Sequence, residues 1–281
     1  MRFRRLVAVA ACLVAPAALG AAPAPGATRI VTLAPHLAEL VHAAGAGDRL
    51  VGVVAWSDHP APVAGLPRVG DAFRVDLEAL AALEPDLVLG WQGGNPDAVL
   101  ALVAQHGHRL VVLPPPGLDD IGLQLEEIGR LAGTPAAAQA AAAGYRDELA
   151  ALRREHAGKP GLRVFYQVSW RPLYTVGGRQ LISDLVALCG GTNVFAELGE
   201  LAPAVSIEAV ILRDPEVILT SKAQRDELLE WRHWPAVAAV ATGQLHAIEG
   251  DLVARPTPRV LEGTRQVCAA LDEARRHRAG G

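Results

Sequence analysis

The amino-acid sequence predicts an α/β protein made of two Rossmann-like lobes joined by a single long backbone helix. Three observations carry this. Short β-branched runs alternate with helical stretches, one central segment reads as an unusually long unbroken helix, and a helix–proline–strand unit occurs twice at a fixed offset. In the first half, Arg29–Leu33 reads as a strand and Pro35–Ala44 as a helix, with Pro35 suited to its first turn. A second strand follows at Leu50–Val54. A helix opening on Asp76 ends before Pro85, and a strand at Asp86–Leu89 follows it. A helix near Pro96–His106 then leads to a strand at Arg109–Leu113.

Thr134-Pro135 is an N-cap and first-turn signal, and Ala136–Ala157 follows with only Gly144 as a breaker. Such a helix spans about 33 Å at about 1.5 Å per residue. That length suits a strut lying along two lobes, the alternative being a long surface helix within one domain. Alternation then restarts: strand Arg163–Val168, helices Leu181–Leu188 and Ile207–Leu212, strands Glu216–Thr220 and Gln244–Ile248, and a final helix Pro258–Arg275. The repeated unit runs from Asp76-Leu77-Glu78 to Pro85-Asp86-Leu87-Val88-Leu89 and again from Ser206-Ile207-Glu208 to Pro215-Glu216-Val217-Ile218-Leu219, 130 residues apart. One unit used in each of two lobes is the simplest account. The expected division is a leader over 1–27, an N-terminal lobe over 28–133, the backbone helix over 134–158 and a C-terminal lobe over 159–281.

The leader is read from Arg2, Arg4 and Arg5, the apolar run Leu6–Ala15 and small residues around Ala18-Leu19-Gly20. Together these make a secretory signal too short to span a bilayer, and the periplasm is the expected destination. Without its three arginines the chain keeps 23 basic and 30 acidic residues, a net charge of −7. Such a balance argues against nucleic acid and anionic membrane surfaces as partners. Cys189 and Cys268 then remain, an even count in an oxidising compartment, which points to a disulfide, with two buried thiols as the alternative.

Catalytic signatures are absent: there is no G-x-S-x-G, phosphate-binding loop, H-E-x-x-H or G-x-G-x-x-G. Neither the nine histidines nor the cysteines cluster with metal-ligand spacing, so no enzyme activity, bound metal or cofactor is expected. Aromatics are scarce, yet Trp56, Trp91 and Trp170 all fall just beyond predicted strands, where open parallel sheets bind ligands. Trp91 leads into Gly93-Gly94-Asn95, and the paired glycines would let backbone approach a ligand closely. Trp170 opens a segment ending at Tyr174. Trp231 and Trp234 read as packing for a loop beside Pro235. Glu78 and Glu208 occupy matched early-helix positions, where an acid favours the helix dipole and could also key into arginine pockets on a two-fold partner.

Three segments carry a family resemblance: Pro85-Asp86-Leu87-Val88 with Trp91–Asn95, Cys189–Phe195, and Pro258-Arg259 leading to Cys268. Through them the chain resembles the periplasmic vitamin B12 (cobalamin)-binding proteins, within the helical-backbone class of solute-binding proteins for metal chelates, from about Arg29 to Leu271. The resemblance implies a corrinoid held edge-on between the lobes as transported ligand, and a disulfide at Cys189 and Cys268. It also implies delivery, as a monomer, to the membrane permease of an ABC importer through Glu78 and Glu208. Ligand contacts carry over to Trp56, Trp91, Asp251 and Arg255, with Trp170 and Tyr174. Two family tryptophans fall on Ala72 and Ala202, with Phe73 beside the first, which implies a less aromatic cleft. The competing readings are an iron–siderophore or haem binder, for which Arg74, Arg171 and Arg255 are the obvious cleft cations, and a periplasmic metal-dependent hydrolase.

Overall fold

The computed structural model of the chain describes residues 26–280, so positions 1–25 of the expected leader over 1–27, Cys12 included, lie outside the described residues. Gly26 and Ala27 already belong to the packed body: the Ala27 N–H donates to Leu131 O at 2.8 Å, and its carbonyl accepts from Arg49 at 3.0 Å.

The N-terminal lobe holds β1 (Ile30–Thr32), α1 (Pro35–Val41), β2 (Leu50–Gly52), α2 (Leu77–Ala82), β3 (Leu87–Trp91), α3 (Asp97–Gln105), β4 (Leu110–Leu113) and α4 (Asp120–Ala132). Helix α5 (Pro135–His156) follows. The C-terminal lobe holds β5 (Leu162–Gln167), the hairpin β6 (Ser169–Trp170) and β7 (Leu173–Tyr174), α6 (Leu181–Leu188), β8 (Gly191–Asn193), α7 (Ile207–Arg213), β9 (Val217–Ser221), a 3-10 segment over Lys222–His233, α8 (Ala238–Ala241), β10 (Leu245–Ile248), α9 (Gly250–Ala254) and α10 (Val260–Gly280). The main sheets run β2-β1-β3-β4 and β8-β5-β9-β10, all pairs parallel. Both have the same order when β1, β2, β3 and β4 are matched to β5, β8, β9 and β10.

Strand periodicity divides the interior. Ile30, Leu87, Leu89, Val164, Tyr166, Val217 and Leu219 point into one cluster of buried side chains that continues through α5 across both lobes. Their strand neighbours Val31 and Val88 point into a second cluster private to the first lobe, and Phe165 and Ile218 into a third private to the second. Alternating side chains on strands buried on both faces give this result, and the strands read as unbroken apolar runs for the same reason.

The repeated unit folds the same way twice. Asp76 Oδ1 accepts from the N–H groups of Glu78 and Ala79 at 3.0 Å, and Ser206 Oγ accepts from Ala209 at 3.2 Å, each capping its helix. Glu84 and Asp214 end the helices with φ of 45° and 43°. Asp86 then accepts from the N–H of Arg29 and Glu216 from that of Arg163, at 3.0 and 2.9 Å. The two arginines reach back to cap the carbonyl ends, Arg29 to Leu83 O and Arg163 to Asp214 O.

In α5 the buried residues Ala138, Ala142, Tyr145, Leu149, Leu152 and His156 repeat every three or four positions, one stripe down its 22 residues. The helix touches α4 in the first lobe and α6 and α10 in the second. Its ion pairs do the same, Arg146 with Glu126 and Arg153 with Asp119 on one side, Glu148 with Arg265 on the other. Thr134 does not cap it, because its hydroxyl donates instead to Ala44 O at 2.8 Å. Cys189, just after α6, is disulfide-bonded to Cys268 in α10, with Cα atoms 4.8 Å apart.

Candidate ligand cleft and docking face

The carboxyl ends of β1, β2 and β3 form one wall. Trp91 closes β3, with its ring edge-on to His36 at 4.8 Å. Burial, with the nearby Arg255 charge adding to it, lowers the His36 pKa to about 3, so the imidazole is neutral through the physiological range. Trp91 Nε1, Thr32 Oγ1 and Ser57 Oγ are buried side-chain atoms without a hydrogen-bond partner among the described residues. Orphaned polar atoms are rare in folded interiors, and all three belong to residues at or beyond these strand ends.

The two glycines after Trp91 differ in role. A Cβ on Gly94 would stand 1.8 Å from Trp91 Cε3, so the room the sequence reserves there for a ligand is filled by the indole itself. Gly93, at φ 79°, has open space where its side chain would be. Asn95, 3% exposed, ties the wall together. Its Oδ1 accepts from the Trp91 N–H at 2.7 Å, and its Nδ2 donates to Leu33 O and to Ala72 O, both at 2.8 Å. One side chain thus holds the ends of β1 and β3 and the turn over 71–74, on which Phe73 is exposed. Trp56, beyond β2, is 79% exposed with φ of 66°.

In the second lobe the indoles are arranged differently from the expectation. Trp170, half-buried, packs against Trp231 at 5.3 Å and Trp234 at 6.1 Å between ring centroids. Trp231 is fully buried and donates from Nε1 to Gln167 Oε1 at 2.7 Å, so it is part of the lobe's core rather than loop packing. Trp170 is therefore largely a member of this aromatic cluster. Tyr174 stays exposed, on a strand bridged to Ala204 beside exposed Leu201 and Ala202.

Asp251 and Arg255 follow β10, and Arg255 reaches into the first lobe. It donates to Glu39 at 3.0 Å, Asp58 at 2.7 Å, the Trp56 carbonyl at 3.2 Å and Asp251 at 3.1 Å. Burial opposes its charge, but Asp58, Glu39 and Asp251 outweigh that and raise its pKa. Burial likewise acts to raise Asp58, yet the Arg255 contact prevails and holds it below the usual carboxylate range. Sequence reasoning named Asn95 only as part of the Gly93-Gly94-Asn95 loop and gave it no role, and it did not find Glu39. A charge inside the apolar run Leu37-Ala38-Glu39-Leu40-Val41 was the signal for Glu39.

Glu78 and Glu208 are exposed on the first turns of α2 and α7. Backbone and Ser206 hydrogen bonds lower the Glu208 pKa. A separate hollow of about 460 Å³ lies beside α5, lined by Gly117, Asp119, Arg153 and Asp184. Its arginine is already engaged bidentately by Asp119, so its geometry differs from that of the cleft. No described helix is long and apolar enough to cross a membrane.

Comparison with known proteins agrees with this architecture. The chain is 37% identical over 273 residues to a vitamin B12-binding protein of Vibrio cholerae serotype O1, covering 97% of this chain and 98% of that one. It is 35% identical over 249 residues to the vitamin B12-binding protein of Yersinia pestis, covering 89% and 88%. The crystal structure of the periplasmic vitamin B12-binding protein of Vibrio cholerae superposes with a TM-score of 0.82 at 37% identity, over 89% of this chain and 98% of that one. A periplasmic haem-binding protein from Roseiflexus superposes with a TM-score of 0.78 at 25% identity, over 89% and 99%. The family model described as periplasmic binding protein matches residues 30–252. The chain belongs to the periplasmic binding protein family.

Proposed function

We propose that this protein captures cobalamin or a related corrinoid in the cleft between its lobes and delivers it, in the periplasm, to the membrane permease of an ABC importer. It acts as a monomer, with no catalytic step and no cofactor of its own, the corrinoid being cargo. The observation that carries this reading is the N-terminal wall. Exposed aromatic faces at Trp56 and Phe73 stand with Trp91 and orphaned polar atoms at the strand ends, in a chain most of whose length matches vitamin B12-binding relatives. A flat corrin ring with amide-bearing edges needs apolar faces and scattered polar partners together. Ligand contacts are assigned to Trp56, Phe73, Trp91, Gly93, Tyr174, Asp251 and Arg255, with Trp170 supporting the second wall. Docking is assigned to Glu78 and Glu208, one exposed acid per lobe. The working division is a leader over 1–27, lobes over 28–133 and 159–281, and the backbone helix over 134–158.

Purified protein mixed with cyanocobalamin and desalted retains the ligand's visible absorption and loses tryptophan fluorescence. Haemin and a ferric siderophore serve as competitors. Retention of haemin with no retention of cyanocobalamin at micromolar concentration would overturn the corrinoid assignment in favour of the haem reading, which the Roseiflexus likeness makes the relevant rival.

A further inference from the structure

Glu39 lies in α1 with every neighbour from Leu37 to Val41 buried, and its own side chain is 3% exposed. A carboxylate there is costly unless it is paired, and its partners come from the other lobe. Oε1 accepts from Arg255 at 3.0 Å and Oε2 from the Thr257 hydroxyl at 3.1 Å, while Arg259 Nη1 lies 3.3 Å from both oxygens. Arg255 passes the constraint on, donating to Asp58 and to the Trp56 carbonyl. Trp56 has left-handed backbone, costly for a bulky side chain, and its indole is almost wholly exposed. The hydrogen bond that holds this residue from the second lobe is on its carbonyl.

We infer that Glu39 is a positioning residue for the cleft: it fixes Arg255, and through Arg255 the Trp56–Asp58 turn, so that the first lobe's aromatic face is set by the second lobe. The cluster joins segments 216 residues apart, after β1 in one sheet and after β10 in the other. Together with α5 it ties the lobes at separate places, which restrains an angle that a single attachment would leave to hinge.

The binding readout of this inference rests on the corrinoid assignment, and the conformational readout does not. Spin labels at Gln105 and Arg276, exposed helix positions in opposite lobes, report the inter-lobe distance in ligand-free protein. In Glu39→Gln the distance distribution broadens relative to wild type. Cyanocobalamin affinity falls about tenfold or more, equivalent to about 1.4 kcal/mol, mainly through faster dissociation. Arg255→Ala does the same, and the double variant binds no more weakly than the weaker single one, as expected for two residues acting in series. An unchanged distance distribution in Glu39→Gln, or losses that multiply in the double variant, overturns the inference. Should Glu39→Gln fail to fold, Thr257→Val removes one of its partners and Arg255→Ala another, and the same distance comparison decides. If wild type takes up no cyanocobalamin, the corrinoid assignment fails while the distance measurement still decides the role of Glu39.

Discussion

His36 makes acid sensitivity a direct readout of how the first lobe is packed. Its imidazole is buried against Trp91, and burial with the Arg255 charge takes its pKa from 6.5 to about 3. In the unfolded chain it titrates normally. Below about pH 6.5 the unfolded state therefore binds a proton that the folded state refuses, and stability falls as pH falls. The contribution is fully present above the unfolded pKa and is lost on the way down towards pH 3. Integrated between the two pKa values, the loss is about 1.4 kcal/mol at about pH 5.5 and about 2.7 kcal/mol at about pH 4.5. His156 and His246, whose pKa values are also lowered chiefly by burial, add to the total slope. Their part cancels when wild type is compared with His36→Gln. Carboxylates such as Asp58, held below the usual range, lose their contribution only at lower pH, outside this window. Urea unfolding at about pH 7 and about pH 5.5 should thus show wild type losing about 1.3 kcal/mol more than His36→Gln. Equal losses in the two proteins, or an NMR titration of His36 near its ordinary value, would refute the packing argument.

Further consequences are open to measurement. The Cys189–Cys268 bridge closes a loop between positions 79 apart, so replacing both cysteines by alanine should cost about 4–5 kcal/mol in the chain-entropy account, seen as a lowered urea midpoint and an earlier thermal transition. Because both cysteines lie in the second lobe, hydrogen exchange should quicken there first and leave β1 and β3 protected. Glu78→Ala with Glu208→Ala should leave cyanocobalamin binding and stability within about 0.5 kcal/mol of wild type, since both side chains are exposed, yet abolish stimulation of the importer's ATPase. Asn95→Ala leaves the Trp91 N–H and two carbonyls without their partner, and should lower the unfolding free energy by about 1–3 kcal/mol in urea titration and weaken cyanocobalamin binding by loosening the Trp91 wall. Asn95→Asp should fail to rescue it, because a carboxylate oxygen would then face the carbonyls of Leu33 and Ala72.

The parts of the fold legible in the sequence were those fixed by local periodicity. The buried strands appear as β-branched runs because both sheet faces are covered, and the repeated unit survives because each of its residues has one local task, as the matched caps at Asp76 and Ser206 and the matched turns at Glu84 and Asp214 show. Helix α4 was not foreseen, although Ile121, Leu125, Ile128 and Ala132 carry a helical stripe. Gly122 and Gly129 look like breakers in one dimension. In three, a Cβ on Gly129 would stand 2.2 Å from the Ala138 methyl, so that glycine lets α5 approach, whereas one on Gly122 would meet only the movable guanidinium of Arg146. The 3-10 segment over Lys222–His233 was hidden for a different reason: it is mostly polar, and only Leu228 and Trp231 turn inward while Leu229 stays exposed.

The cleft was legible in its aromatic residues and illegible in what holds them. Trp56 and Trp91 could be placed because strand ends are visible in sequence. Asn95 and Glu39 act on partners far away along the chain, Asn95 on Leu33 62 residues back and Glu39 on an arginine 216 residues ahead. No window of periodicity contains such pairs. Glu39 carries a mark in one dimension, a charge inside the apolar run of a buried helix, whereas Asn95 lies in the polar turn Gln92–Pro96, where nothing in the pattern sets it apart. Burying such a group is tolerated only when folding brings its partners to it. A charge that breaks an otherwise consistent apolar pattern is therefore itself a prediction of a long-range contact, and in this chain Glu39 leads through Arg255 to the wall on which Trp56 and Trp91 stand.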